Sequence, residues 1–259
     1  MTTDLSFADL SLAWRIEEAC LNGWPALQSL VFDGWQLRFS RGHTRRANSI
    51  SLLHASTQDV DTKIGYCEKL YAAHGLPAIF RLSSLSADDI DAALDRRGYS
   101  LREDEACVLY RDFLADPAPA AAETVIVQPQ PGEAWLEALA NIQGLSAAAQ
   151  TTGEAIFNAV ALPAAYSASL APDAKVAAVA FGAVHDGIVC VNAVGTDPSF
   201  HRQGYARRAV GAILAWAQSD VGARGACLPV MAQNAAGIAF YHALGFHTEI
   251  SRYAYRRRG

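Results

Sequence analysis

The sequence predicts an α/β (α+β) protein of two domains, and three observations carry the prediction. The chain has 259 residues, 51% of them apolar, which is enough for two cores of ordinary size. A Pro/Ala run from Leu114 to Glu123 holds no large apolar residue after Leu114 and reads as an extended linker. Strand-like and helix-like patterns alternate on both sides of it. The expected division is 1–113, a linker at 114–123, and 124–259.

In the first piece, Asp33–Ile50 reads as two strands around a basic turn, Arg41 to Arg46, and Asp59–Gly65 leads into a helix. Ala78–Leu82 is then a strand, Ala87–Arg96 a helix closed by Gly98-Tyr99, and Ala106–Tyr110 a strand. In the second piece, Thr124–Gln128 is a β-branched strand and Glu133–Leu145 an apolar-periodic helix. Thr152–Val160 is a second helix, with Thr151 or Thr152 as its N-cap. Strands follow at Tyr166–Leu170, Lys175–Val184 and Ile188–Val194, the last two joined by the hairpin signal His185-Asp-Gly187. After the loop Gly195–Gly204, Ala206, Ala209, Ile213 and Ala217 share one face of a helix over Tyr205–Ser219. Leu228–Ala232 is a buried strand, Asn234–Leu244 a helix, and Phe246–Tyr255 closing strand material. The order strand, helix, Gly-aromatic, strand thus occurs at the end of both pieces. A diverged internal repeat accounts for that, as would two unrelated α/β pieces.

A formal net charge of −5 gives no global field for holding nucleic acid, so any anion site is local. The longest membrane-like stretch, Val176–Val184, is far short of the ~20 residues of a span. The five cysteines are widely spaced and form no C-x-x-C pair, so buried reduced thiols and no metal are expected. The first ten residues, MTTDLSFADL, lack the plan of a signal peptide, and a cytoplasmic location is expected.

The segment Val194-Gly-Thr-Asp-Pro-Ser-Phe-His-Arg-Gln-Gly-Tyr-Ala-Arg-Arg208 carries the most chemistry. A strand delivers the chain to a loop, and Gly204 opens a helix whose free N–H groups and positive dipole end suit phosphate oxygens. Arg202, Arg207 and Arg208 flank that end, where cations are disfavoured by about 0.3–1 kcal/mol each unless an anion sits among them. A solvated arginine face closed by an ordinary glycine is the other reading.

His201-Arg-Gln-Gly-Tyr-Ala206, after Thr196-Asp-Pro198, resembles the acetyl-CoA pyrophosphate loop of the GNAT N-acetyltransferases, Gln/Arg-x-x-Gly-x-Gly/Ala. Asn234-Ala-Ala-Gly-Ile-Ala-Phe-Tyr-His-Ala-Leu-Gly-Phe246 resembles the family's second signature, Asn-x-x-Ala-x-x-x-Tyr-x-x-x-Gly-Phe. His201 and Gly237 depart from the pattern. The resemblance covers about residues 123–255 and implies GNAT-like domains, each a mixed, mostly antiparallel sheet flanked by helices. It also implies acetyl-CoA as cosubstrate. Backbone groups of Val194, Gly195 and Thr196 would pair with the pantetheine arm. His201, Arg202, Gln203, Gly204, Tyr205, Ala206 and Arg207 would wrap the diphosphate. Asn234 carries over as a cofactor contact, although asparagine is also a strong N-cap. Tyr241 carries over as the general acid, since a phenol stays protonated at pH 7 and can give its proton to the leaving sulfur.

No general base stands out. Asn192 could position a water, while Asp197, Glu154 and His185 fit a turn, a helix face and a hairpin equally well. The first piece has no comparable glycine loop, so as a GNAT copy it has lost its cofactor site. The whole then resembles tandem GNAT proteins such as mycothiol synthase. The basic turn Arg41–Arg46 is either an acceptor-site wall or a solvated hairpin. The expected activity is transfer of an acetyl group from acetyl-CoA to a primary amine of a small molecule or peptide. Nucleic acid and membrane partners are not expected, and the chain is expected to be a monomer or homodimer. The rival reading is a non-catalytic CoA-binding sensor or interaction module on the same fold.

Overall fold

The computed structural model describes residues 7–119 and 124–258, so residues 120–123 of the expected linker and the first six residues lie outside the described residues. The chain begins with α1 (Phe7–Asn22), β1 (Gln28–Phe32), β2 (Trp35–Phe39) and β3 (Ile50–Leu52). Next come α2 (Val60–Ala73), β4 (Ile79–Ser83), α3 (Asp91–Arg96) and β5 (Glu103–Asp112). Beyond the linker lie β6 (Val125–Gln128), α4 (Glu133–Gln143), α5 (Ala147–Asn158), β7 (Ala164–Leu170), β8 (Val176–His185) and β9 (Ile188–Thr196). The chain closes with α6 (Tyr205–Ser219), β10 (Gly225–Met231), α7 (Ala235–His242) and β11 (Thr248–Arg257).

These elements gather into two compact units that interleave along the chain. One comprises Met1–Pro25, Val108–Pro229 and Ala236–Ile250; the other comprises Ala26–Cys107, Val230–Ala235 and Ser251–Gly259. The units differ from the halves on either side of the linker because the closing strands cross over. The end of β5 joins the first unit, and most of β11 joins the second.

In the first unit the strand order is β10-β9-β8-β7-β6, antiparallel except that β10 runs parallel to β9. Asp186 at φ 44° and Gly187 at φ 74° make the tight turn that the Asp-Gly signal predicts between β8 and β9. Strand β8 is buried from Ala177 to Val184 and is rich in small residues, which lets α6 approach closely. A Cβ on Gly182 would lie 2.4 Å from Ile213 Cγ2, and Ser167 Oγ donates to Ala209 O at 2.9 Å. On the other face, Trp135, Phe157, Tyr166 and Phe181 form an aromatic cluster, edge-to-face except where Tyr166 stacks on Phe181, with Trp135 Nε1 donating to Ser167 O at 3.0 Å.

Two helix starts differ from expectation: α3 begins at Asp91 and not at Ala87, and α5 begins five residues before Thr152. Helix α5 starts at Ala147 and is capped by Ser146, whose hydroxyl accepts from Ala149 N at 3.3 Å. Thr151 and Thr152 are interior to it and donate back to Ala147 O and Ala148 O at 3.1 and 3.0 Å. Helix α1 and strand β1 add to the expected elements. The Arg15 guanidinium pairs with Asp186 and ties α1 to the β8–β9 turn.

In the second unit the order is β1-β2-β3-β4-β11, with β3 parallel to β4 and the other pairs antiparallel. Trp35, Leu37, Ile50, Phe80 and Leu82 form one apolar face, joined in a single core by Ile64, Cys67 and Tyr71 of α2 and Leu94 of α3. Lys63 is fully buried, yet satisfied: Nζ reaches Asp33 O at 2.6 Å and Asp33 Oδ2 at 3.2 Å, under the Trp35 ring at 3.9 Å. The expected basic turn joins β2 to β3 and is tightly pinned. Asn48 Oδ1 accepts from Ser40 N and Gly42 N at 2.7 and 3.0 Å, and Nδ2 donates to His43 O and Thr44 O at 2.7 and 2.8 Å.

The Gly-aromatic echo has a shared geometry. Gly98 N donates to Asp95 O and Tyr99 N to Leu94 O; Gly245 N donates to His242 O and Phe246 N to Tyr241 O. Gly75-Leu76 and Gly144-Leu145 close α2 and α4 in the same way, so the echo is a general helix stop of the Schellman type.

Candidate functional site

The site begins where two parallel strands part. The ladder between β10 and β9 runs Gly225↔Ile188, Ala226↔Val189, Cys227↔Cys190 and ends there. Strand β9 continues to Thr196 alongside β8, but its register jumps: Phe181 faces Asn192, and Val179 faces Gly195. Ala193 and Val194 therefore oppose Ala180 alone, and Ala193 takes φ 49°. Such a bulge bends the strand and turns backbone groups out of the ladder. Gly195 is required on the helix side, because a Cβ there would lie 2.7 Å from Ile142 Cγ2 of α4. Nothing in the run Asn192-Ala-Val-Gly195 marks the bulge in sequence.

Beyond Thr196, Asp197 accepts from Ser199 N at 2.8 Å and starts a short 3-10 turn over Pro198–Phe200. His201 Nε2 lies 3.1 Å from Thr196 O, and Gln203 Nε2 donates to Ser199 O at 3.4 Å. Arg202 at φ 61° and Gly204 at φ 80° are both left-handed, and they turn the chain into α6 without a side-chain cap. The first-turn N–H groups of α6, from Tyr205 and Ala206 onward, have no intrahelical acceptor and open onto this loop.

The three arginines part company. Arg202 is exposed in the loop. Arg207 Nη1 donates to Ala243 O, past the end of α7, at 3.1 Å. Arg208 stacks its guanidinium 4.2 Å from the Tyr205 ring centroid and lines a 440 Å³ cavity with Ala171, Pro172 and Ala174.

Tyr241 sits on α7, partly buried, with the ring centroids of Phe240 and Phe246 5.0 and 6.2 Å away. Burial pushes its phenol up to about 12. The Gly245 that follows has φ 86°, and a Cβ there would lie 2.9 Å from Arg111 Nε. Arg111 in turn donates through Nη1 to Leu244 O at 2.7 Å, which fixes the end of α7. Asn234 precedes α7 and lies in the second unit, where its N–H donates to Met231 O at 2.9 Å.

The base candidates are occupied elsewhere or remote in kind. Asp197 caps its turn, His185 Nε2 lies 3.4 Å from Glu18 Oε2, and Glu154 is exposed on α5. Asn192 is buried, with Nδ2 3.4 Å from Cys190 Sγ. Sequence spacing hid a further feature: α1, β9 and β10 bring Cys20, Cys190 and Cys227 together, at sulfur separations of 3.8 and 3.9 Å. Their number and softness could hold a thiophilic ion, which spacing alone had excluded. Hydrogen bonds with Cys190 and Cys20, and then burial, hold the Cys227 thiol well above its ordinary value, which favours neutral thiols.

The glycine-led N-terminus of α6 follows β9 where the sequence resemblance to the GNAT N-acetyltransferases expects it. A family model described as "Probable histone acetyltransferase Rv0428c C-terminal" matches residues 13–255, and the chain belongs to this family. It is 24% identical over 244 residues to "Uncharacterized N-acetyltransferase YobR" of Bacillus subtilis (strain 168), covering 93% of this chain and 97% of that one. A GCN5-related N-acetyltransferase from Kribbella flavida shares the fold with a TM-score of 0.69 at 15% identity, covering 96% of this chain and 95% of that chain. A tandem GNAT protein from the clavulanic acid biosynthesis pathway gives 0.58 at 14% identity, covering 76% and 68%. The protein is an N-acetyltransferase of the GNAT superfamily.

Proposed function

We propose that the chain moves an acetyl group from acetyl-CoA directly to a primary amine of a small molecule or peptide. The observation that carries this reading is the β9 bulge at Ala193, placed where β9 and β10 cease to pair. Beyond the end of the β10 ladder, the edge of β9 at Val194, Gly195 and Thr196 that does not face β8 is left to bind an amide-bearing arm. The α6 N-terminus, with Gln203, Gly204, Tyr205 and Ala206, suits the diphosphate. Arg202, exposed in the loop, supplies a cation for the diphosphate, His201 fastens the loop to Thr196, and Arg207 lies on the first turn of α6 with Nη1 on Ala243 O.

A backbone N–H of the bulge polarises the thioester carbonyl, and the amine nitrogen attacks that carbon. Tyr241, neutral at every physiological pH, gives its proton to the departing sulfur. Water takes the proton lost by the amine. No metal enters these steps, and the first half of the chain is read as a degenerate copy without a donor site. A cytoplasmic location and a monomer or homodimer complete the reading.

Release of free CoA thiol from acetyl-CoA across a panel of primary amines tests it. Acceptor-dependent release supports transfer. Tight acetyl-CoA binding with no release by any amine supports the sensor reading instead.

A further inference from the structure

The last rung of the β9–β10 ladder in the first unit pairs Cys190 with Cys227, and register partners on adjacent strands put their side chains on one face. Helix α1 packs against β9 and supplies Cys20 from its last turn. Gly23, just past the helix, allows the close approach: a Cβ there would lie 3.2 Å from Cys190 Cβ and 2.8 Å from Ala19 O. The three sulfurs meet in the core. Cys20 Sγ is 3.8 Å from Cys190 Sγ and 3.9 Å from Cys227 Sγ, and all three lie within 4.8 Å of one another. Cys20, Cys190 and Cys227 are 5%, 0% and 0% exposed.

This spacing suits three thiolates on one centre. Sulfurs bound about 2.3 Å from a common centre lie about 4 Å apart when coplanar with it, and closer when it stands out of their plane. The separations of 3.8 and 3.9 Å satisfy that already, and the third pair needs to close by less than about 1 Å. Among the described residues no histidine or carboxylate joins the group, so it suits a three-coordinate soft centre rather than tetrahedral zinc. Charge narrows the choice. Three thiolates around a monovalent or divalent ion leave a net negative charge in the core, which is costly to bury. Around a trivalent centre they leave none. The thiols need not lack other partners, because such a centre displaces S–H protons and leaves lone pairs to accept N–H groups. Cys190 Sγ already accepts from Asn192 Nδ2 at 3.4 Å.

We propose that Cys20, Cys190 and Cys227 together bind a trivalent thiophilic metalloid, taken up as its neutral hydroxide, of which arsenous acid is the simplest. Each S–H proton leaves with one hydroxide as water, while a sulfur–arsenic bond replaces an oxygen–arsenic bond. Three thiols and As(OH)3 thus give As(SR)3 and three waters. Nothing is oxidised or reduced. Reactants and products are all neutral, so no charge is left among apolar side chains. The uncharged hydroxide is small and reaches the sulfurs by local opening. Once bound, it fastens α1 to β9 and β10 just below the point where the strands part. The site is independent of the acetyl-transfer reading, and its test needs no acetyl donor.

The test incubates the full chain, kept reduced by a thiol-free phosphine, with sodium arsenite, followed by gel filtration and an assay for arsenic. One arsenic per chain should remain, and the melting temperature should rise with arsenite concentration, because the folded chain presents the three sulfurs together. X-ray absorption on the parent complex should find three sulfur neighbours and no oxygen, a result that needs no variant. Cys20→Ala, Cys190→Ala and Cys227→Ala should each retain about tenfold less arsenic or lower still, through loss of one of three linked donors. Cys67→Ala and Cys107→Ala, outside the cluster, should retain as much as the parent. No retained arsenic, fewer than three sulfur neighbours, or unchanged retention in all three cluster variants overturns the site. Zinc retained at one ion per chain, where arsenite is not, overturns the trivalent assignment.

Discussion

His201 Nε2 lies 3.1 Å from the carbonyl oxygen of Thr196, so the side chain at the first position of the loop motif fastens the loop to the strand before it. A neutral or a protonated ring can donate there. Removing the bond in His201→Ala should weaken acetyl-CoA binding by about fivefold, the worth of one net hydrogen bond. Calorimetric titration checks this, and an unchanged dissociation constant would deny the loop-closing role.

Tyr241→Phe should lower kcat by about 10²-fold or more with little change in the KM for acetyl-CoA, because the lost group is a proton donor. An unchanged kcat removes Tyr241 from the role.

The same tyrosine predicts alkaline behaviour. Its phenol is raised by burial from 10.0 to about 12, so between those values the unfolded chain holds fewer protons than the folded one. Stability falls as pH rises across that window, by up to about 1.4 kcal/mol per pH unit for this group. Urea titrations from pH 9.5 to 11.5 should show a shallower fall in Tyr241→Phe than in the parent (pH values about 10 and above).

Gly245→Ala places a Cβ 2.9 Å from Arg111 Nε at φ 86°. We expect a loss of about 1–3 kcal/mol in urea unfolding. At the bulge the sign reverses: Ala193 already holds φ 49°, so Ala193→Gly should be tolerated and Ala193→Val destabilising.

The three clustered thiols should resist modification. With Cys227 raised by hydrogen bonds to Cys190 and Cys20 and by burial, none of the three should react with a disulfide reagent at pH 8 in the folded protein (about one unit below a free thiol's titration). All should react after denaturation. Rapid labelling of Cys227 in the native state would contradict the packing described.

Much of this architecture is written locally. The Asp186-Gly187 turn, helix α6 from Tyr205 to Ser219 and the Gly-led stops need only neighbours in sequence, and all stand where the pattern puts them. What depends on distant partners was not legible. The bulge at Ala193 arises from pairing with β8, and the thiol cluster from the meeting of one helix and two strands. The cap at Ser146 is not marked in the sequence, because Ala147–Gln150 shows no apolar period, and Thr151 and Thr152 stand closer to the first large apolar residues of the helix. The arginines illustrate a third limit. Sequence shows Arg202, Arg207 and Arg208 as one cluster, but helical geometry sends Arg207 and Arg208 to different neighbours.

The crossing of the closing strands bears on how the protein is made. Most of the second unit is synthesised early, but β4 pairs with β11, whose residues are translated more than 150 positions later. That edge stays open on the ribosome, offering unpaired backbone to other nascent chains until residues 248–257 emerge. Expression of the first half alone leaves it permanently unsealed, so a truncated product is a substrate for chaperones and proteases rather than a spare domain.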